Sequence, residues 1–158
     1  MRQKAIDGLA AGNTFVVTRT FTQQETITFA EISRDYNPVH FDRRFAKSKG
    51  FSDVICHGLL VAGMLTEIGG QIGWLASGMN FRFKKPVYAG DTIECRLTIT
   101  EIDNRGRAQA EATFRNQREE IVIEASVTGI VPGNAEREIM ALMVAEGDST
   151  NPLRQAGL

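Results

Sequence analysis

The chain has 158 residues, of which 42% are hydrophobic and 23% charged, with a formal net charge of -1. This is the length and composition of one globular domain with room for a real core, and its near-neutral charge removes the electrostatic basis for binding nucleic acid or an anionic membrane. The two cysteines, Cys56 and Cys95, form no Cys-x-x-Cys pair, which excludes a disulfide framework and a structural zinc site and suits a reducing compartment, the cytoplasm.

At the start of the chain Asp7 and Gly8 interrupt the apolar run that would have to follow the basic residues, so residues 1–9 do not read as a signal peptide. Residues 15–21 are rich in β-branched and aromatic side chains and predict a strand. Thr22 and Glu25 then make a capping-box pattern, the hydroxyl accepting from the third amide while the glutamate reaches back. The helix so opened is expected to run to about Arg34, with Phe29, Ile32 and Tyr36 spaced to share an apolar face.

Asp35-Tyr36-Asn37-Pro38-Val39-His40 follows, carrying one of only two histidines. Pro38 fixes its own φ and its Cδ pushes Asn37 out of the α region, so the helix stops near Asp35. Acid and imidazole then sit on one rigid turn, converge on one point, and suit the holding of a water between carboxylate and imidazole. The alternative is ordinary turn chemistry, with His40 satisfied inside a loop. Asp42 is placed to cap a short helix over residues 43–48, closed by Gly50.

Residues 54–76 are apolar enough to suggest a membrane span, but they contain His57, Glu67, Gln71 and five glycines, and a buried core helix is expected instead. Its apolar residues fall on nearly every side, and the glycines at 63, 69, 70 and 73 imply close approach of other backbone. The Gly58 amide lies at the helix entry, where amides lack intrahelical partners and the dipole is positive, a place that receives an oxygen gathering negative charge. The alternative is that His57-Gly58 only lets the chain enter a crowded helix.

From Met79 the period becomes two: Phe81 and Phe83 alternate with Arg82 and Lys84, then Ile93, Cys95, Leu97 and Ile99 share a face. Asp103 to Gly106 is a hairpin turn, Ala108, Ala110, Ala112 and Phe114 share the next face, and a last strand spans residues 121–131. Three alternating strands with short turns predict an antiparallel meander covered on one side. Arg82, Lys84 and Lys85 form a basic strand, either a nucleotide contact or an ordinary solvated face. Residues 134–158 form a separate C-terminal helix, with Ile139, Met140, Leu142 and Met143 clustered, and a polar tail from residue 146 that is expected to fray.

Taken together, Asp-x-Asn-Pro-Val-His-x-Asp at residues 35–42, His-Gly-Leu-Leu at 57–60 and Phe-Lys-Lys-Pro-Val-Tyr-Ala-Gly-Asp at 83–91 resemble the MaoC-like dehydratases, and within them the (R)-specific enoyl-CoA hydratases. The resemblance covers residues 15–131, leaving the MaoC-like domain at 1–133 and the extension at 134–158. It implies an α+β hot-dog fold, an antiparallel sheet wrapped around a long central helix, and a homodimer with active sites near its interface. It further implies reversible hydration of a trans-2-enoyl thioester of CoA or acyl carrier protein to the (3R)-hydroxyacyl thioester. Asp35 and His40 would activate the water and the Gly58 amide would bond the thioester oxygen, with Asn37, His57, Arg82 and Lys84 as candidate substrate contacts. No cofactor or metal is expected, because the thioester is its own electron sink. Arg34 departs from the family, many members having glycine before the aspartate, and is expected to bear on substrate fit. Two rivals stand beside this: a hot-dog thioesterase using Glu67 on the central helix, and a non-catalytic acyl-thioester-binding subunit.

Overall fold

A computed structural model describes residues 1–148 of the chain. The alternation after residue 91 folds as read, into β3 (Thr92–Ile102), β4 (Arg107–Asn116) and β5 (Ile121–Ile130), an antiparallel meander. Large and small side chains face each other across it: Cys95 pairs with Phe114, Leu97 with Ala112, and Ile99 with Ala110. All six are buried. β1 (Thr14–Thr20) joins the β3 edge and β2 (Leu75–Phe83) the β5 edge, giving the order β1-β3-β4-β5-β2.

The apolar run after His57 forms two helices, α4 (Gly58–Ala62) and α5 (Met64–Ile72), instead of one. They part at Gly63, whose carbonyl accepts from both the amide (2.9 Å) and the hydroxyl (2.7 Å) of Thr66, a tightened turn at a residue of poor helix propensity. α5 buries Met64, Leu65, Ile68 and Ile72 in the core cluster with the sheet, which is the hot-dog arrangement. The glycines admit close approach unevenly: a Cβ at Gly63 would lie 3.0 Å from the Leu60 carbonyl oxygen, one at Gly69 3.8 Å from that of Trp74, and one at Gly73 2.8 Å from Pro132 Cγ. A Cβ at Gly70 would meet nothing within 4 Å, and Gly73 serves as the left-handed cap of α5 at φ 68°.

After β1 comes α2 (Gln23–Ser33), with its capping box formed: Glu25 N donates to Thr22 Oγ1 at 3.2 Å and Thr22 N to Glu25 Oε2 at 2.7 Å. Its buried face is Thr26 and Ala30, and Ile32 is 78% exposed. Because α2 ends at Ser33, Tyr36 has left the helix, so three- and four-residue spacing no longer places it beside Phe29. Asp42 caps α3 (Arg43–Ser48) through the amides of Arg44 and Phe45, and the chain leaves through Gly50 at φ 87°.

At the termini the structure adds what sequence reading left unassigned: residues 2–7 form α1 (Arg2–Asp7), which packs on α6 (Asn134–Ala145). Met140 of α6 enters the core, whereas Ile139 and Leu142, expected to cluster with it, face outward. The first residues of the polar tail are held, Asp148 N donating to Met143 O at 2.7 Å and its carboxylate lying 3.6 Å from Arg2. The rest of the expected frayed tail, residues 149–158, lies outside the described residues. No helix among the described residues is long and apolar enough to cross a membrane.

Candidate active site

The corner after α2 is built from a chain of short-range bonds. Asp35 N donates to Ser33 Oγ, Asn37 N to Asp35 Oδ1, and Val39 N to Asn37 Oδ1, each at 3.2 Å. These are the Asx-type turns that acidic and amide side chains favour beside proline. They leave the Asp35 side chain half exposed with Oδ2 directed at the histidines, and they engage the Asn37 oxygen with the Val39 amide. Arg34 has a backbone task at this corner. It caps α2 in the left-handed region at φ 60°, a conformation glycine adopts without steric cost.

His40 ends a 3₁₀ turn over Pro38–His40 and is buried. Its Nδ1 bonds the Ile55 carbonyl at 2.8 Å, and a carbonyl only accepts, so Nδ1 carries the proton and the Nε2 lone pair faces Asp35 Oδ2 at 3.9 Å. Burial pushes the His40 pKa below the ordinary histidine value. The bond to Ile55 opposes that, the neighbouring His57 adds to it, and Asp35 opposes it. The ring is therefore a neutral acceptor at pH 7.

His57, only 1% exposed, stacks on His40 with ring centroids 3.7 Å apart and planes inclined by 29°. Its Nε2 donates to the main-chain carbonyl of Asp35 at 2.9 Å and lies 3.9 Å from Asp35 Oδ2. The sequence marked His57 as a substrate contact; its bonds are to the corner itself. Asp35, His40 and His57 present ligand atoms within 4.8 Å of one another, a donor set that transition ions accept. Yet His57 Nε2 is already engaged as a donor to the Asp35 carbonyl, which takes it out of such a donor set.

Asp35, His57 and Gly58 line a cavity of about 480 Å³ whose other walls are largely apolar, among them Phe51, Leu59, Phe83 and Ile123. His40 borders it through Asp35 and His57. Gly58 is the first residue of α4, and no acceptor among the described residues engages its amide. A side chain there would be crowded: a Cβ would lie 2.6 Å from Cε1 of the Phe83 ring, so the ring or the helix entry would have to shift. Nothing in the local sequence signals this contact between the helix entry and the end of β2. Lys84 and Lys85 reach the cavity rim, paired with Glu124 at 3.1 Å and Glu120 at 2.6 Å. Arg82 is not brought to it. Strand alternation turns Arg82 toward a separate depression shared with Glu111 and Glu124. Burial pushes both thiols up, Cys95 to about 12, which leaves neither as a nucleophile at neutral pH.

Fold and site together define a class: a hot-dog enzyme in which a carboxylate and an imidazole converge beside the cavity. Residues 10–121 match the MaoC like domain, and the chain belongs to that family. It is similar to the mitochondrial 3-hydroxyacyl-[acyl-carrier-protein] dehydratase of Arabidopsis thaliana, 32% identical over 130 residues covering 78% of either chain. It is likewise similar to the (R)-specific enoyl-CoA hydratase of Aeromonas caviae, 32% identical over 98 residues, 60% of this chain and 73% of that one. Among solved structures, the (R)-hydratase of A. caviae involved in PHA biosynthesis superposes with a TM-score of 0.73 at 26% identity, covering 79% of this chain and 98% of that one.

Proposed function

We propose that the protein adds water reversibly to trans-2-enoyl thioesters of CoA or acyl carrier protein, giving (3R)-hydroxyacyl thioesters. The observation that carries this is the separation of Asp35 Oδ2 and His40 Nε2, 3.9 Å, beside a cavity whose wall holds the unengaged Gly58 amide. Two acceptors each about 2.8 Å from one water oxygen, at an angle near 90°, stand about 4 Å apart. A water donating one hydrogen bond to each turns a lone pair toward the cavity. Attack forms the C3–O bond as the water's O–H bond breaks toward the acid–base pair. The π electrons move to the thioester oxygen, where the Gly58 amide stabilises the enolate, and return as C2 takes a proton from the pair. One oxyanion donor is worth about 3 kcal/mol of barrier, and positioned acid–base catalysis about 10²- to 10⁴-fold. The names of the relatives support the substrate class and the (R) hand.

The thioesterase alternative takes its carboxylate from the central helix, and Glu67, the acid available there, is not among the residues lining the cavity. Purified protein with crotonyl-CoA separates the readings. Loss of the enoyl absorbance without free thiol, with a (3R) product on chiral analysis, is expected; thiol release or an inert mixture overturns the proposal.

A homodimer completes the reading. β2 is an edge strand with Leu75, Met79 and Phe83 exposed, and a long apolar edge is an aggregation hazard unless paired. A stable monomer by light scattering at micromolar concentration would contradict it. The cytoplasm suits a chain with two free, buried thiols.

A further inference from the structure

We infer that His57 is a positioning residue: one imidazole holds the Asp35 main chain, backs the His40 ring and, through its own backbone, fixes the Gly58 amide relative to both. The inference rests on the hydratase reading and adds a third side chain to it. Four observations carry it.

First, His57 occupies the residue before α4, where a polar side chain ordinarily caps the helix, and it makes no cap bond. Its Nε2 turns instead to the carbonyl of Asp35, 22 positions earlier in the chain. Second, Nδ1 is buried without a hydrogen-bond partner. A residue kept only to fill space would avoid that loss by being apolar. With Nε2–H donating to a carbonyl, Nδ1 is left as a bare acceptor, so this tautomer is the one the site selects. Third, the ring is clamped in that orientation by His40 at 3.7 Å, Phe29 at 5.1 Å and Phe41 at 6.1 Å between centroids. Fourth, Gly58 follows directly. The link from Asp35 through the His57 ring to the Gly58 amide therefore spans the distance between the bound water and the thioester oxygen, the separation that C3 and the carbonyl of a substrate must match.

An electrostatic consequence follows from the same stack. The titratable groups facing His40 are Asp35, from the corner after α2, and His57, from the entry to α4. The acid favours a charged His40 and the second imidazole disfavours it. Removing the second imidazole lets His40 protonate more readily.

Two substitutions separate these tasks. His57→Phe keeps an aromatic ring on His40 and removes the donor; His57→Gln places an amide nitrogen near the position of Nε2 and removes the ring. Expected for His57→Phe is a fall in kcat of about 10²-fold, the scale of a 1 Å misplacement, with KM little changed. His57→Gln should recover most of that loss. In His57→Gln, which removes both the second imidazole and the ring that covers His40, the acid limb of kcat/KM and the NMR titration of the His40 Cε1 proton should move to higher pH. Folding is checked by circular dichroism, and if His57→Phe does not fold, the His57→Gln pH shift decides. Folded His57→Gln with an unmoved His40 titration, or folded His57→Phe with wild-type kcat, overturns the inference. If the wild-type protein leaves crotonyl-CoA untouched, the hydratase reading fails, while the His40 titration still reports whether His57 governs it.

Discussion

Gly58→Ala is the sharpest perturbation, because the substitution is innocent everywhere except at one contact. The backbone there is ordinary helical entry, with no positive φ. Alanine is the better helix former by about 1 kcal/mol, so propensity alone would stabilise α4. The new Cβ, however, falls 2.6 Å from Phe83 Cε1 and 3.0 Å from Cδ1 and Cζ. Carbon atoms pack best at about 3.5–4.0 Å, so either the ring or the helix entry must yield by about 1 Å. Overpacking of this kind costs about 1–3 kcal/mol of stability. A 1 Å displacement of the amide costs about 10²-fold in rate, and its complete loss as a donor about 10²- to 10³-fold. The expected result is a folded protein with kcat down about 10²-fold on crotonyl-CoA. Phe83→Ala removes all three clashing atoms, so the double mutant should exceed Gly58→Ala in kcat, a positive coupling in a double-mutant cycle. Native turnover in Gly58→Ala, or losses that simply multiply in the double mutant, would refute both the contact and the role given to the amide.

Asp35→Asn and His40→Gln should each lower kcat by about 10²- to 10⁴-fold with the fold intact. Steady-state kinetics of the double mutant should show it barely worse than either single, since both groups act on one water. Because burial lowers the His40 pKa, kcat/KM should hold as pH falls past the ordinary value of about 6.5 and decline only nearer the depressed folded value. The stability linked to His40 follows the same sign: complete above the unfolded value and lost as pH falls through the folded one, measurable as urea midpoints against pH. Arg34→Gly should raise Tm by about 1–2 °C, since relief of the left-handed strain exceeds the added chain entropy only slightly. A lower Tm in a calorimetric scan would show that the Arg34 side chain contributes more than its backbone costs.

What the amino-acid sequence by itself determined is what acts within a few residues. Thr22 and Glu25 cap α2, Asp42 caps α3, the Asp35-Asn37-Pro38 corner closes on its own side chains, and the alternation of β3 to β5 sets which face is buried. Each depends on local dihedrals or on a period of two, and neither needs the rest of the chain. Tertiary structure decided the remainder. Tyr36 left its predicted face because the helix stopped first, and Arg82 was carried away from the cavity by the face on which β2 presents it. The site itself is joined by long-range contacts: Ile55 fixes the His40 tautomer, Asp35 holds His57, and Phe83 seats on Gly58. Their partners lie fifteen or more positions apart in the chain. No local pattern encodes such pairings, because they come into being only when the sheet closes around its helix and brings both ends of each contact to the same place.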